Sequence, residues 1–192
     1  MTKLWKNVLV LWAIGMGIAI SAPAAAVTSA VGPYYATPSW DQTLPVATRF
    51  IVLSNMNSEA VLDRETGLVW QRSPNYSTEQ AYPNAVQGCG DANTGGRRGW
   101  RLPHLFEFES LTDASATSQP TFPAGHPFTG FPTGQIVTFW SDTVKAGVGG
   151  QHYCPGYGIR TDGSVTGVFA SCGDSFSTAN VFCVRAPGSS GP

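Results

Sequence analysis

The chain has 192 residues, 42% of them hydrophobic and only 12% charged, enough to bury one core and too few for a second domain. Its formal net charge is -1, and Lys3 and Lys6 lie in a segment expected to be lost in processing, which leaves nine cations against 12 acids. A net-negative chain is excluded from the class of proteins that bind nucleic acid through a basic face, because that binding works by displacing counterions.

Residues 1–26 have the pattern of a secretory signal peptide: Lys3 and Lys6, then an uncharged apolar run over residues 8–20, then the small residues Ala24, Ala25 and Ala26. A run of that length is too short for a helix crossing about 30 Å of hydrocarbon, which takes about 20 residues. An uncleaved anchor is the competing reading. No cysteine lies near the cleavage position, so no lipid can be attached there, and no stable membrane insertion is expected after cleavage near Val27. Residues 27–48, rich in Ala, Pro, Ser and Thr, are expected to be a linker or N-terminal arm, residues 49–186 the folded domain, and residues 187–192 a flexible tail.

Within the domain, residues 49–53 are a short β-rich run. Ala60-Val61-Leu62 and Leu68-Val69-Trp70-Gln71 predict a hairpin around Gly67, which tolerates positive φ. Ser77 and Gln80 are spaced as a capping box, and Ala81, Ala85 and Cys89 recur on one helical face, so a first helix is expected over residues 77–89, kinked or starting later because of Pro83. Pro103 suits the first turn of a second helix, in which Leu105, Phe108 and Leu111 recur at spacing three, Glu107 and Glu109 fall on the surface, and Asp113 closes the element. Residues 112–135 carry four prolines and no regular pattern, the mark of a functional or poorly ordered loop. Strands are expected over 137–142, 157–161, 165–170 and 181–185, with a turn at Thr161-Asp162-Gly163-Ser164.

Export gives the four cysteines a meaning. Widely spaced and even in number, they read as two disulfides, and four cysteines allow three connectivities. The nested pairing, Cys89 to Cys183 and Cys154 to Cys172, is expected, worth about 4.7 and about 3 kcal/mol by loop entropy. Zinc is disfavoured, since no cysteine pair has the short spacing of a zinc knuckle and His104, His126 and His152 are isolated.

Five phrases in fixed order carry a family resemblance: Asp63 with Thr66-Gly67-Leu68-Val69-Trp70-Gln71, a helix ending at Cys89, Trp100-Arg101-Leu102-Pro103, Phe139-Trp140-Ser141-Asp142-Thr143, and Cys183-Val184-Arg185. The chain resembles the domain at the C-terminal end of the Legionella collagen-like adhesin, the exported DUF1566 domain, over about residues 49–185. That resemblance implies an α+β, C-type-lectin-like fold: two short helices on small twisted antiparallel sheets with long loops, and terminal strands close together. It supports the Cys89 to Cys183 bridge. The chain departs from the family pattern at His104, where threonine is usual, and at Phe108, where leucine is usual. Collagen-like Gly-X-Y repeats are absent from the sequence.

Fold alone does not carry activity. The sugar-binding Glu-Pro-Asn, Gln-Pro-Asp and Trp-Asn-Asp phrases of calcium-dependent lectins are missing, although Trp140-Ser141-Asp142 occupies a comparable strand, and the acids are scattered where calcium needs six to eight oxygens. The resemblance implies sulfated glycosaminoglycan binding for the adhesin, and Arg97, Arg98 and Arg101 are the one basic cluster here; the fold is expected to use Arg101 internally. Tyr34, Tyr35, Trp40, Tyr153 and Tyr157 offer rings in loops or arms, whereas Trp70, Trp100 and Trp140 read as core. The candidate ligand contacts are therefore Arg97, Arg98, Asp142, Tyr153 and Tyr157. No Gly-x-Ser-x-Gly phrase or partnered histidine suggests catalysis, and disulfides use the cysteines a formylglycine-generating-like oxidase would need. No catalytic residue, metal or cofactor is expected. The expected function is an exported, adhesin-like binding domain for a glycan or an envelope or host surface protein, the alternative being a structural or assembly component of the envelope.

Overall fold

The apolar run Phe50-Ile51-Val52-Leu53 has no polar alternation, which is how a strand covered on both faces reads. In the computed structural model, which describes residues 28–30, 44–117, 119–143, 157–162, 164–167 and 178–186, it forms β2 (Phe50–Leu53), buried throughout. A one-turn helix, α1 (Val46–Arg49), feeds it, and β1 (Thr28–Ala30) pairs with it in parallel from within the expected arm. β3 (Ala60–Asp63) and β4 (Val69–Gln71) form the expected hairpin, with Gly67 at φ 73°. β10 (Val184–Arg185) adds to β4, giving the order β1-β2-β3-β4-β10.

A second sheet has the order β5-β9-β6-β7-β8. Its strands are β5 (Asn75–Ala81), β6 (Thr138–Trp140), β7 (Tyr157–Arg160), β8 (Val165–Gly167) and β9 (Thr178–Val181). The fold is α+β as expected, but the sheets are mixed, with parallel pairing at β1/β2 and β6/β9. The strand expected over 181–185 is interrupted: Phe182 and Cys183 carry the chain from one sheet to the other.

The two helices correct the expected boundaries. Residues 77–81 are strand, not helix, because β5 pairs with β9 and the Gln80 carbonyl accepts the Trp140 indole N–H at 2.6 Å. α2 (Tyr82–Asp91) starts after them with Pro83 in its first turn, where a missing N–H costs nothing, and buries Ala85 and Cys89. Pro103 stands before the helix N-cap, which is His104; α3 (Leu105–Glu109) then ends in a turn at Ser110 and Leu111, short of Asp113. Only two turns of the spacing-three pattern are needed to bury Phe108 and Leu111.

The first sheet separates two apolar clusters. On one side, Ile51, Leu53, Ala60 and Leu62 meet Ala85 and Cys89 of α2, Trp100, Leu102 and Trp140. On the other, Phe50, Val52, Val61 and Trp70 meet Phe108, Phe122, Phe128, Phe139 and Phe182. Phe108 packs in the middle of that aromatic side, with Trp70, Phe122, Phe139 and Phe182 ring centroids at 6.3, 6.2, 5.8 and 6.0 Å. The described residues of the loop over 112–135 form no helix or strand, yet they supply two of these core rings. Buried Thr161 ties it down: Thr121 N–H donates to the Thr161 carbonyl at 2.7 Å, and Thr161 Oγ1 donates to the Gln135 carbonyl at 3.0 Å. Trp70, Trp100 and Trp140 are core residues, as expected.

The Cys89–Cys183 bridge is present and joins α2 to the crossover between the sheets. Gln71 of the Trp-Gln phrase braces the same point. Its N–H donates to the Cys183 carbonyl at 3.1 Å, and its side-chain oxygen accepts the Cys183 N–H at 3.0 Å. Cys154 and Cys172 lie outside the described residues.

One tight approach yields a stability test. Gly95 has φ 62°, and a Cβ there would fall 2.5 Å from Met56 Cβ and 2.8 Å from the Met56 carbonyl oxygen. Gly95→Ala is expected to destabilise the domain by about 2 kcal/mol in urea unfolding, the sum of left-handed backbone strain and overpacking. A neutral result would mean that Met56 yields freely.

Candidate functional site

The Trp-Arg-Leu-Pro phrase is an extended segment laid beside β10. Arg101 N–H donates to the Val184 carbonyl and Val184 N–H donates to the Arg101 carbonyl, both at 2.9 Å. Buried Trp100 fixes the approach, its indole N–H donating to the Arg97 carbonyl at 2.7 Å. The side chains of Arg97 and Arg98 are thereby left exposed. Arg185, on the neighbouring strand, is half-buried, and its Nε is buried without a hydrogen-bond partner among the described residues. Burial, and secondarily the positive charge of Arg97, push the Arg185 guanidinium below its ordinary pKa. Among the described residues no carboxylate forms an ion pair with any of these three arginines.

Arg185 was not named by sequence reasoning. Only the pairing of residue 101 with residue 184 brings it beside Arg97, and that pairing joins segments more than 80 residues apart in sequence.

Arg101 behaves differently, as expected of an internal residue. It grips Glu107 through both nitrogens, at 2.8 and 2.6 Å, and Glu107 also accepts the His104 backbone N–H at 2.8 Å. Glu107 is therefore half-buried rather than on the surface. Burial alone would raise its carboxyl pKa, but the bonds from Arg101 and His104 outweigh burial and hold it below the usual range. The same hydrogen bond raises Arg101 against its own desolvation.

Asp142 stands at the end of β6 in this second cluster, with His104 Nδ1 2.6 Å from its Oδ1. Burial pushes its carboxyl up, His104 and Arg101 oppose that, and Glu107 adds to it. Tyr82 faces the same carboxylate; burial and the Asp142 charge both raise its phenol. Of the candidate contacts, then, Arg97 and Arg98 share one segment, while Asp142 belongs to the cluster around His104. Tyr157 opens β7 opposite Gly167, and Tyr153 lies outside the described residues. Among the described residues, no group of three or more His, Cys, Asp or Glu is placed to hold a metal ion.

His126 provides a pH signature. Its ring packs on Phe122 and Phe128 with centroids at 5.1 and 5.9 Å, its Nδ1 has no partner among the described residues, and burial lowers its pKa. An unfolded histidine takes up a proton near pH 6.5, which folded His126 resists, so stability falls as pH drops through and below that value. Urea unfolding at pH 7.5 and 5.5 should show a larger loss for the native chain than for His126→Phe. The difference is capped at about 1.4 kcal/mol per pH unit for one proton.

The family model described as the Lcl C-terminal domain matches residues 59–185. The chain belongs to the Lcl C-terminal domain family. No curated protein and no solved structure matches it. The family match in this Lcl C-terminal domain runs from just before β3 to the last residue of β10, so it contains α2 and α3, the disulfide and Arg97, Arg98 and Arg185. β1 and β2, which complete the first sheet, precede it. Among the described residues no helix is long and apolar enough to cross a membrane.

Proposed function

We propose that this Lcl C-terminal domain is an exported, non-catalytic binding domain that recognises an anionic glycan on a cell or matrix surface. The observation that carries the reading is the set Arg97, Arg98 and Arg185, three guanidinium groups with no ion-paired carboxylate among the described residues, on a chain that carries net negative charge. Of the other described arginines, Arg49 pairs with Asp63 and Glu65 and Arg101 with Glu107, while Arg64 and Arg72 are bonded to backbone carbonyls. Guanidinium forks match sulfate and carboxylate oxygens in pairs, and an oxyanion between Arg97 and Arg185 relieves their mutual repulsion. The leader-like segment and the Cys89–Cys183 bridge support export. The bridge from α2 to the crossover before β10, and the terminal strands β1 and β10 in one sheet, support the C-type-lectin-like reading of the fold.

The test is binding of the chain from Val27 to an array of neutral, sulfated and carboxylated glycans, with calcium and with EDTA. Signal on anionic glycans that is competed by free glycan and indifferent to EDTA is expected. Absence of signal in both buffers would favour a protein partner in the envelope.

A further inference from the structure

Arg97 and Arg98 lie on one extended segment and Arg185 on another, so a ligand that touches both depends on how those segments are spaced. After Arg98 they are tied by the two backbone bonds between Arg101 and Val184. Before Arg97 the tie is a side chain, that of Gln71 at the end of β4. Its Oε1 accepts the Cys183 N–H at 3.0 Å, and its Nε2 donates to Thr94 Oγ1 at 2.8 Å. The first bond sets the direction of the second. An amide whose oxygen faces an N–H points its NH2 group the other way, and the Thr94 hydroxyl supplies the acceptor there.

Thr94 opens the short turn Thr94–Gly96, and its carbonyl accepts the Arg97 N–H at 3.2 Å. It is therefore bonded to Arg97 through its backbone and, by way of Gln71, to the crossover two residues before Arg185. The next residue holds the turn in place, since the Gly95 N–H donates to a Glu59 carboxylate oxygen at 2.6 Å. The chain from Thr94 to Arg101, the chain from Cys183 to Val184 and the Gln71 amide close a ring, with Arg97 and Arg98 on its long arc and Arg185 next to its short one. Arg97 is close enough to Arg185 for its charge to act on that guanidinium, and no carboxylate among the described residues pairs with either. Two like charges on loosely joined segments drift apart. Held at a fixed spacing, they are preorganised for an oxyanion placed between them, and the ligand does not have to bring them together.

We propose that the Gln71 amide and the Thr94 hydroxyl form a strap that presets the spacing of Arg97 from Arg185, so that the two segments grip one oxyanion jointly. The inference rests on the anionic-glycan reading above and makes Gln71 and Thr94 positioning residues that act through the arginines.

The test is affinity for immobilised heparin at low salt, measured on the chain from Val27 with Thr94→Val, Thr94→Ser and Arg185→Lys. Thr94→Val keeps the shape of the side chain and removes the acceptor, whereas Thr94→Ser retains a hydroxyl. Thr94→Val is expected to bind about fivefold more weakly, the worth of one net hydrogen bond, and Thr94→Ser to bind as the native chain does. Arg185→Lys keeps the charge and loses the planar fork, so it should weaken the native chain about tenfold. In the Thr94→Val background the same change should cost only about twofold, because groups that no longer act together are no longer coupled. A merely destabilised fold does not give this pattern, since a folded variant of lower melting temperature keeps both its affinity and its response to Arg185→Lys. Native-like binding by Thr94→Val, weak binding by Thr94→Ser, or equal effects of Arg185→Lys in the two backgrounds would overturn the strap; if R97S/R98S still loses binding, the glycan reading stands without it. No saturable binding by the native chain would overturn both.

Discussion

Replacing both bridged cysteines, as Cys89→Ala with Cys183→Ala, is expected to lower the unfolding free energy by about 4 to 5 kcal/mol. The bridge closes a loop with a sequence separation of 94, and in the chain-entropy model a loop of that size restricts the unfolded chain by about that amount. Both residues are fully buried, so little of the loss is recovered by relaxation around the new side chains. The folded position of Cys183 has other supports, since Gln71 bonds its N–H and its carbonyl, so the variant should still reach the native arrangement. Urea unfolding of the oxidised native chain and the double alanine variant measures the difference. A loss under about 1 kcal/mol would show that the unfolded chain keeps these segments together without the bridge.

Asp63→Ala is expected to cost about 3 to 5 kcal/mol, because it takes one of two carboxylates from a buried guanidinium and removes the acceptor that organises a turn. Asp63 is fully buried and accepts from Arg49 Nε and Nη2, each at 2.9 Å. It also organises the turn: the Glu65 N–H reaches Oδ1 at 3.1 Å and the Thr66 hydroxyl reaches Oδ2 at 3.0 Å. Four donors therefore lose their acceptor at once, and Arg49 retains Glu65 and the Ser110 carbonyl as partners. Removing the pair together, with Arg49→Met and Asp63→Leu, should be less harmful than Asp63→Ala alone with respect to charge, yet it still loses the turn bonds. Thermal unfolding of the three proteins orders them as native, double variant, single variant. A single variant equal to the native chain would mean that water reaches Arg49.

The parts of this fold that were legible in the sequence are those written locally. The β3/β4 hairpin rests on two apolar runs and a glycine at positive φ, and both signals are contiguous. Pro83 marked where a helix could begin, and the structure starts α2 one residue before it. The stretch from residue 77 to residue 81 was misleading because Ser77 and Gln80 fit a capping box equally well as they fit β5. What decides it is the pairing with β9 and the bond from Trp140 to the Gln80 carbonyl, both contributed by residues about 60 to 100 positions later. The loop over 112–135 shows the same limit. Its phenylalanines have no period, so their place in the aromatic cluster comes entirely from the surfaces of β2, β4 and α3 that they cover. Glu107 read as a surface residue because its spacing puts it off the apolar face of α3, while its partner Arg101 sits outside the helix. Of the basic group, Arg97 and Arg98 were visible as neighbours in sequence and Arg185 was not.

The measurement that tests the central claim most directly is the affinity of the chain from Val27 for immobilised heparin at 50 and 200 mM salt, native against Arg97→Ser with Arg98→Ser. Both substituted side chains are exposed and without ion-pair partners among the described residues, so the fold should be untouched. Saturable binding that weakens with salt, and that falls at least tenfold in the double variant, is the predicted result. Equal affinity of the two proteins, or no saturable binding by the native chain at the lower salt, would contradict it.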